Sequence, residues 1–549
     1  MKEPTVGELL ITIGREATLF HTPDGTAYAT VAVGEHEETW ALRSTGYRSW
    51  LAGQLWQRAG KVARAQSLSD TLTLLEAVAR FEGPEEPVYL RLAVTAGATY
   101  LDLGDAGWRA VEITPAGWRI VARPSVRFRR PKGLNALPEP RPGGHLDALR
   151  PFLNLDGADN DPWLLVVGFL VGLFGRGPYP VLVLGGEQGA AKTTASRILR
   201  GLVDPATSPD RGLPRDERDL AIAAHNAHVV SFDNLSRLPE WLSDALARLA
   251  TGAGFGTRSL YTDAEEALFY AARPVILNGI GELAVRSDLL DRSLVVSLPR
   301  IAEERRRPEH ELWAAFEAER SAILGGLLDA VSGALARHRD LRLPRLPRMA
   351  DFAGWVSAAE PALGWPAGTF LAAYERNRRG AHDLALDAAS ISGPIKQLVS
   401  EQGWQGPATA LLARLAERAD DALLRRRDWP GAPNALAVQL RRLAPDFRAI
   451  GIEIDCEARE PGSGARSISI RRLPVHGIVT TVTPVTPSAP PAADADDRDD
   501  RDDHLRLPTV RRQPGHAGAD PADETARMPA AGERPIEEDW PRSAWGAEE

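Results

Sequence analysis

A chain of 549 residues exceeds what one hydrophobic core can organise, since single cores stop growing at about 250–300 residues, so three or four domains are expected. Its single cysteine, Cys456, excludes a disulfide framework and any multi-cysteine zinc site, and suits a reducing cytoplasmic setting. The net charge of −9 is uneven: residues 475–549 hold 16 acidic and 8 basic side chains, which leaves the rest nearly neutral, so overall charge neither favours nor forbids nucleic acid.

Residues 1–136 read as an α+β domain. Leu9–Ile13 and Thr26–Val33 have strand-like patterns, with Pro23-Asp24-Gly25 as a turn between them; Tyr47–Ala59 and Ser67–Arg80 have helical periodicity; short strands return from Val88 to Val121. His21, His36 and Asp102 are expected on turns or the surface, and no primase-like carboxylate constellation is evident here. Residues 137–144, with three prolines and two glycines, form a linker.

Residues 145–345 carry the motifs. The run Trp163–Phe174 is 12 residues long, too short to cross a bilayer, which takes about 20; with Asp161 as cap and Pro162 in the first turn it reads as a buried helix, and no membrane partner is expected. Next, the apolar strand Val181–Leu184 runs into Gly185-Gly186-Glu187-Gln188-Gly189-Ala190-Ala191-Lys192-Thr193-Thr194, and a helical pattern follows. That order is a phosphate-binding loop: backbone N–H groups and a helix N-terminus face the phosphates of ATP, Lys192 reaches the β/γ-phosphates, and the Thr193 hydroxyl holds Mg²⁺. Ala191 departs from the pattern, standing where the second glycine belongs.

Downstream, Val229-Val230-Ser231-Phe232-Asp233-Asn234 is an apolar strand ending in a carboxylate suited to Mg²⁺ or its water. Arg273-Pro274-Val275-Ile276-Leu277-Asn278 ends in an amide that could orient the attacking water. Asp288-Leu289-Leu290-Asp291-Arg292 offers Arg292 as an arginine finger for a neighbouring subunit, with Arg286 as the competitor.

In this order the motifs resemble the AAA+ division of P-loop ATPases, and GGEQGAAKTT, VVSFDNLS, LATGAGFGTRSLYTDAEE, RPVILNGI and DLLDRSLVVSLP resemble the primase-helicase ATPases of phages and mobile elements related to superfamily 3 helicases. The resemblance implies a homo-oligomeric, hexameric ring with ATP bound between subunits, acting on single-stranded or forked DNA. It also places Arg258 and Tyr261 in a DNA-contacting insertion. The residue after the strand-ending aspartate is usually acidic in that family and activates water; here it is Asn234, an amide that cannot accept a proton as a carboxylate does. Glu187 and Glu282 remain as candidate bases, and a nucleotide-switched regulator or loader with little hydrolysis is the alternative to a helicase.

Residues 300–345 look helical, with Ala322–His338 as a lid over the nucleotide and Arg305-Arg306-Arg307 as a further candidate sensor; 346–389 is a helical connector. Residues 390–473 have a winged-helix outline: helices at Pro394–Glu401, Ala408–Ala419 and Ala435–Leu443, the last capped by Asn434, then strands Ile450–Cys456 and Ala465–Arg471 around a turn at Pro461–Gly464. Arg441 and Arg442, with Arg425, Arg426, Arg427 and Arg448 nearby, are candidate DNA contacts. Residues 474–549 are Pro-rich and then acidic, and read as a disordered tail.

Overall fold

A computed structural model describes residues 3–155, 159–236, 238–252, 255–258, 266–269, 272–279, 287–387, 389–459 and 466–473. All of them fall within one compact unit, and every absence stated below refers to them alone. Tyr261, Glu282, Arg286, the Pro461–Gly464 turn and the acidic tail lie outside the described residues.

The first element is a correction. Leu9–Ile13 belongs to the helix Val6–Arg15, because Thr5 and Glu8 close a capping box in which each side chain accepts the other's backbone N–H. Leu10 and Ile13 then fall on one buried face at helical spacing, whereas Leu9, Ile11 and Ile13 carry the alternation that suits a short strand. This helix, the helices Thr45–Ala59 and Ala65–Phe81, and an antiparallel sheet of Thr18–His21, Ala27–Val33 and His36–Ala41 enclose a core of Leu10, Val31, Tyr47, Leu51, Leu72 and Leu75.

A second antiparallel sheet runs in chain order through Leu92–Val94, Thr99–Asp102, Ala110–Thr114 and Gly117–Val121. Successive strand residues face opposite ways, so Leu101, Val111 and Ile113 join the central core while Tyr100 and Ala110 pack with Phe128 on the other side. Asp102 is neither a surface nor a turn residue as expected: it is 1% exposed and receives Arg130 at 2.5 and 2.9 Å.

The centre is a four-stranded parallel sheet in the order Val230–Leu235, Val275–Gly279, Val181–Gly185, Ser293–Ser297. Its strands are near-continuous apolar runs because helices cover both faces. On one side lies Asp161–Gly172, whose cap is Asn160 and not Asp161; Asp161 instead receives a two-pronged Arg376 at 2.7 Å on each oxygen. Helices Ala350–Ala359 and Thr369–Asp387 add Phe352, Phe370 and Tyr374 to the core that holds Phe169 and Ile276, so the expected connector is part of the central body. At the sheet edge, Asn377 Oδ1 accepts the Val295 N–H at 2.9 Å and its Nδ2 donates to the Val295 carbonyl at 2.6 Å.

The expected lid also differs. The helix begins at Glu309, well before Ala322, and runs to Arg337. Its body braces the second sheet, with Ser332 Oγ donating to the Thr114 carbonyl at 2.7 Å and Trp118 Nε1 to Asp329 at 2.8 Å.

In the C-terminal part, helix Ser392–Glu401, strand Trp404–Gly406, helices Ala408–Ala416, Asp421–Leu424 and Pro433–Ala449, and strands Ile452–Asp455 and Ile468–Arg472 follow in order. The strand Trp404–Gly406 escapes the sequence reading because it is three residues long; it pairs with Ile468–Arg472, which becomes the middle strand. Asn434 is not the helix cap: Ala432 holds that place, and Pro433 presets the first helical φ.

One buried ion pair ties the N-terminal sheets to the central one. Arg91 is fully buried at φ 61°, its Nε 3.2 Å from Asp204 Oδ1, and its other nitrogens donate to the carbonyls of Asp102 and Asn135 at 2.9 and 2.7 Å. Asp204 Oδ2 accepts the N–H groups of His228 and Val229 at 2.9 and 3.0 Å. Burial alone would raise the Asp204 carboxyl; Arg91, Arg200, His228 and the Val229 N–H outweigh it and hold it below the usual carboxylate range. Arg91→Ala should therefore lower stability by about 3–5 kcal/mol, the usual effect of removing one partner of a buried pair, and urea unfolding would measure it. A loss near zero would mean that Asp204 is not left as a bare charge.

Candidate functional site

The site lies at the C-terminal ends of the parallel strands, where helix N-termini and loops converge. Val181–Gly185 ends in the loop, and the helix Lys192–Val203 begins directly after it. Gly186 sits at φ 140°, and a Cβ there would meet the Leu298 carbonyl oxygen at 2.4 Å, so only glycine fits. Ala191, in the second-glycine position, has φ 60° and ψ 32°. Glycine adopts that left-handed conformation freely, and it marks the alanine as strained.

Lys192 folds over its own loop, Nζ donating to the carbonyls of Gly186 and Glu187 at 2.8 Å each. Burial pulls its ammonium below the ordinary lysine value, with Asp233 opposing the shift. Thr193 Oγ1 donates to Asp233 Oδ1 at 3.0 Å, which brings together the two groups read from sequence as a metal pair. Gln188 and Gly189 are exposed on the loop, Ala190 is buried, and Thr194 faces an adjoining cavity.

The strand Val275–Gly279 lies between the loop strand and the Asp233 strand, with Asn278 level with Leu184. Asn278 is 1% exposed; its Oδ1 accepts the Asn234 N–H at 3.1 Å, and its Nδ2 has no hydrogen-bond partner. A buried amide donor without a partner is costly, and a phosphate oxygen or water at this place would satisfy it. Asn234 itself sits at φ 57° with an exposed side chain, its N–H also donating to Asp233 Oδ1 at 2.7 Å. Asparagine tolerates the left-handed region better than glutamate, which accounts physically for the residue found there.

Beside the helix N-terminus opens a cavity of about 890 Å³, bordered by Phe152, Leu153, Ile301 and Leu312 on its apolar wall and by Arg197 and Arg306 on its polar one. Only the first turn of the Glu309–Arg337 helix reaches it. Asn154, which also borders this cavity, holds the loop through its Nδ2, which donates to the Ala190 carbonyl at 3.2 Å. Sequence reasoning missed Asn154, and also a buried network below the helix in which Asp210 accepts Ser231 Oγ at 2.9 Å and Arg197 Nε at 2.7 Å. Ser231, a lone hydroxyl in an apolar strand, was the available signal.

The other predicted residues stand apart. Arg292 precedes the strand Ser293–Ser297, whose first residue is level with Val181, so it lies at the end of the sheet opposite the loop, roughly 13 Å away along the strands. Its Nη1 donates to the Asp288 carbonyl at 2.7 Å and pairs with the Asp288 carboxylate. Arg258 closes a strand, Phe255–Arg258, that pairs antiparallel with Glu266–Phe269 just before the Asn278 strand. Arg441 and Arg442 are exposed on the helix Pro433–Ala449.

With this geometry in view, residues 146–384 match the family model described as Actinomycete integrative conjugative element replication protein, and residues 391–485 match that of the AICE RepA C-terminal domain. The chain is similar to a mobile-element replication protein over more than half its length. No curated protein matches. Among solved structures, it is similar to an SCCmec type IV Cch described as an active helicase, at 10% identity over 83% of this chain and 92% of that one with a TM-score of 0.41. It is also similar to an apo NrS-1 C-terminal region, at 10% identity over 84% of this chain and 98% of that one with a TM-score of 0.38. No described helix is long and apolar enough to cross a membrane.

Ala191→Gly should raise stability by about 0.5–1 kcal/mol, because the left-handed penalty of about 1–2 kcal/mol exceeds the unfolded-state entropy that glycine adds. Denaturant midpoints of the two proteins would measure the difference; a loss of stability would mean the alanine carries no strain.

Proposed function

We propose that the chain is a ring-forming, DNA-dependent ATPase that serves replication of a mobile element as a helicase. The observation that carries this reading is the Thr193–Asp233 contact beside the Lys192 loop, with Asn278, whose Oδ1 holds the Asn234 N–H and whose Nδ2 has no partner, on the neighbouring strand. The residues fit ATP and Mg²⁺: Gly186 to Thr194 would cradle the phosphates, and Thr193 and Asp233 supply the oxygens that a small divalent cation prefers. Mg²⁺, when bound, neutralises charge developing on the phosphates. Lys192 would leave its loop carbonyls for phosphate oxygens, and Asn278 would orient water through its free N–H. The cavity next to the loop has room and apolar surface for a nucleoside.

Arg292 is too far from its own loop to serve it, which supports a role in a neighbour's site. DNA contact is assigned to the C-terminal part, whose order of helix, strand, helices and two strands fits the winged-helix reading. Arg441, Arg442 and Arg448 are exposed there with no ion-pair partner among the described residues, flanking the exposed Val438, and such a face suits a DNA groove. The hairpin carrying Arg258, with Tyr261, is the second candidate contact.

A second reading is favoured by Asn234: with no carboxylate in that place, nucleotide binding could drive assembly with little turnover, as in a loader or regulator. ATPase and strand-displacement assays with and without single-stranded DNA separate the two. DNA-stimulated turnover with unwinding supports the helicase; ATP-dependent assembly without either supports the switch.

Lys192→Ala should abolish hydrolysis and weaken nucleotide binding with the melting temperature unchanged. Normal turnover in that variant would remove the phosphate-loop assignment.

Arg292→Ala subunits should bind ATP yet turn over about 10³–10⁵-fold more slowly, as loss of a fully engaged finger does. Mixing them with excess Lys192→Ala subunits should restore part of the rate, since some neighbours then pair an intact loop with an intact arginine. Mixed oligomers that stay inactive would exclude a role across the interface.

A further inference from the structure

We propose that His382 is a positioning residue that links the helix Pro433–Ala449 to Arg292, so that DNA held on that helix alters how Arg292 is offered to a neighbouring subunit. This rests on the reading above, in which that helix binds DNA and Arg292 acts in trans.

The link is short and buried. His382 Nδ1 lies 2.8 Å from Asp446 Oδ1, and its Nε2 lies 3.2 Å from Asp291 Oδ1. Both His382 and Asp446 are 1% exposed. Asp446 belongs to the same helix as Arg441, Arg442 and Arg448 but faces inward, one turn after Arg442, while those arginines face outward. At the other end, Asp291 directly precedes Arg292 and is also paired with Arg378. His382 itself sits on the helix Thr369–Asp387, which is fixed in the central core through Phe370 and Tyr374. Beside the apolar packing of Leu386 against Leu436 and Leu440, the imidazole thus gives the outer helix a polar link to Asp291, the residue before Arg292. Apolar packing would join the two parts as firmly, but it would not fix direction as two charge-assisted hydrogen bonds do.

Four charged groups meet at this point: Asp291 from the strand approach, Asp446 from the C-terminal helix, and His382 and Arg378 from the helix between them. Burial disfavours the charged ring, but Asp291 and Asp446 outweigh it and His382 is pushed up to about 9. The Asp291 carboxyl, despite burial, is held down to about 2 by His382 and Arg378. At neutral pH the ring thus donates to both carboxylates. As pH rises through about 9 it keeps one N–H, and one of the two bonds loses its donor. Because the folded value is above the unfolded one of about 6.5, the link is complete below about 6.5 and is lost as pH approaches and passes 9.

Hydrogen–deuterium exchange on the full chain, with and without a mixed-sequence DNA duplex in low-salt buffer, tests this without relying on turnover. In the wild type the duplex should slow exchange in 433–449 and change it in 287–298. His382→Gln should keep the first effect and reduce the second at least about 5-fold, the lower range of ordinary coupling between sites. In the wild type the second effect should halve near pH 9 after correction for intrinsic rates, and in His382→Gln it should not vary with pH. If His382→Gln does not fold, Asp446→Asn tests the same contact from the other side. A response at 287–298 that survives both substitutions overturns the proposal, as does a wild type whose 433–449 is protected while 287–298 is unaffected. No protection at 433–449 in the wild type would overturn the DNA reading of that helix together with the proposal.

Discussion

The fold depends on the charge pair that Arg91 and Asp204 form in the interior. Asp204 ends the helix that starts at Lys192, and its second oxygen holds the first N–H groups of the chain leading into the Asp233 strand. One carboxylate therefore fixes the far end of the Lys192–Val203 helix relative to the strand that supplies Asp233. Arg91 supplies the opposing charge from a different sheet, and its remaining donors are taken by backbone carbonyls. An ion pair so placed specifies one arrangement more than it adds net stability, since both charges had to leave water. The Thr193–Asp233 contact inherits that arrangement.

The strand, glycine-rich turn and helix around Lys192 were legible because all three lie within one short stretch. Asp233 and Asn278 were legible because each ends an apolar run. What escaped depends on partners far along the chain. Arg91, inside Val88-Tyr89-Leu90-Arg91-Leu92, reads as the polar member of an alternating strand, and nothing near it announces Asp204. His382 and Asp446 look like ordinary polar positions on two separate helices. Leu9–Ile13 was misread because its apolar spacing fits both periods, and the Thr5 and Glu8 pair that decides for helix lies just before it. The packing of the helices after 345 escaped for a related reason: the Pro and Arg-rich stretch before Ala350 looks like a boundary, yet Phe352, Phe370 and Tyr374 beyond it fill the central core.

The two residues that break the motif pattern expected from sequence gain meaning from backbone angles. Ala191 and Asn234 both have positive φ, and they lie on either side of the contact that would hold the metal. Neither angle can be read from residue type. At Ala191 the chain tolerates a conformation that glycine would adopt freely; at Asn234 it uses a residue suited to the turn and forgoes a carboxylate. A loop and a strand end kept in sparsely populated conformations are what a site under functional constraint displays.

The Asn377 amide at the outer strand has a consequence for assembly. A parallel sheet that ends in an uncovered strand offers a row of N–H and C=O groups on which another chain can add itself, and growth of that kind has no natural stopping point. Asn377 answers both groups of Val295 with a side chain from the same molecule. Copies of the protein that crowd together are thereby discouraged from zipping strand to strand, and are left to meet through side-chain surfaces, whose geometry can close into a finite, countable assembly.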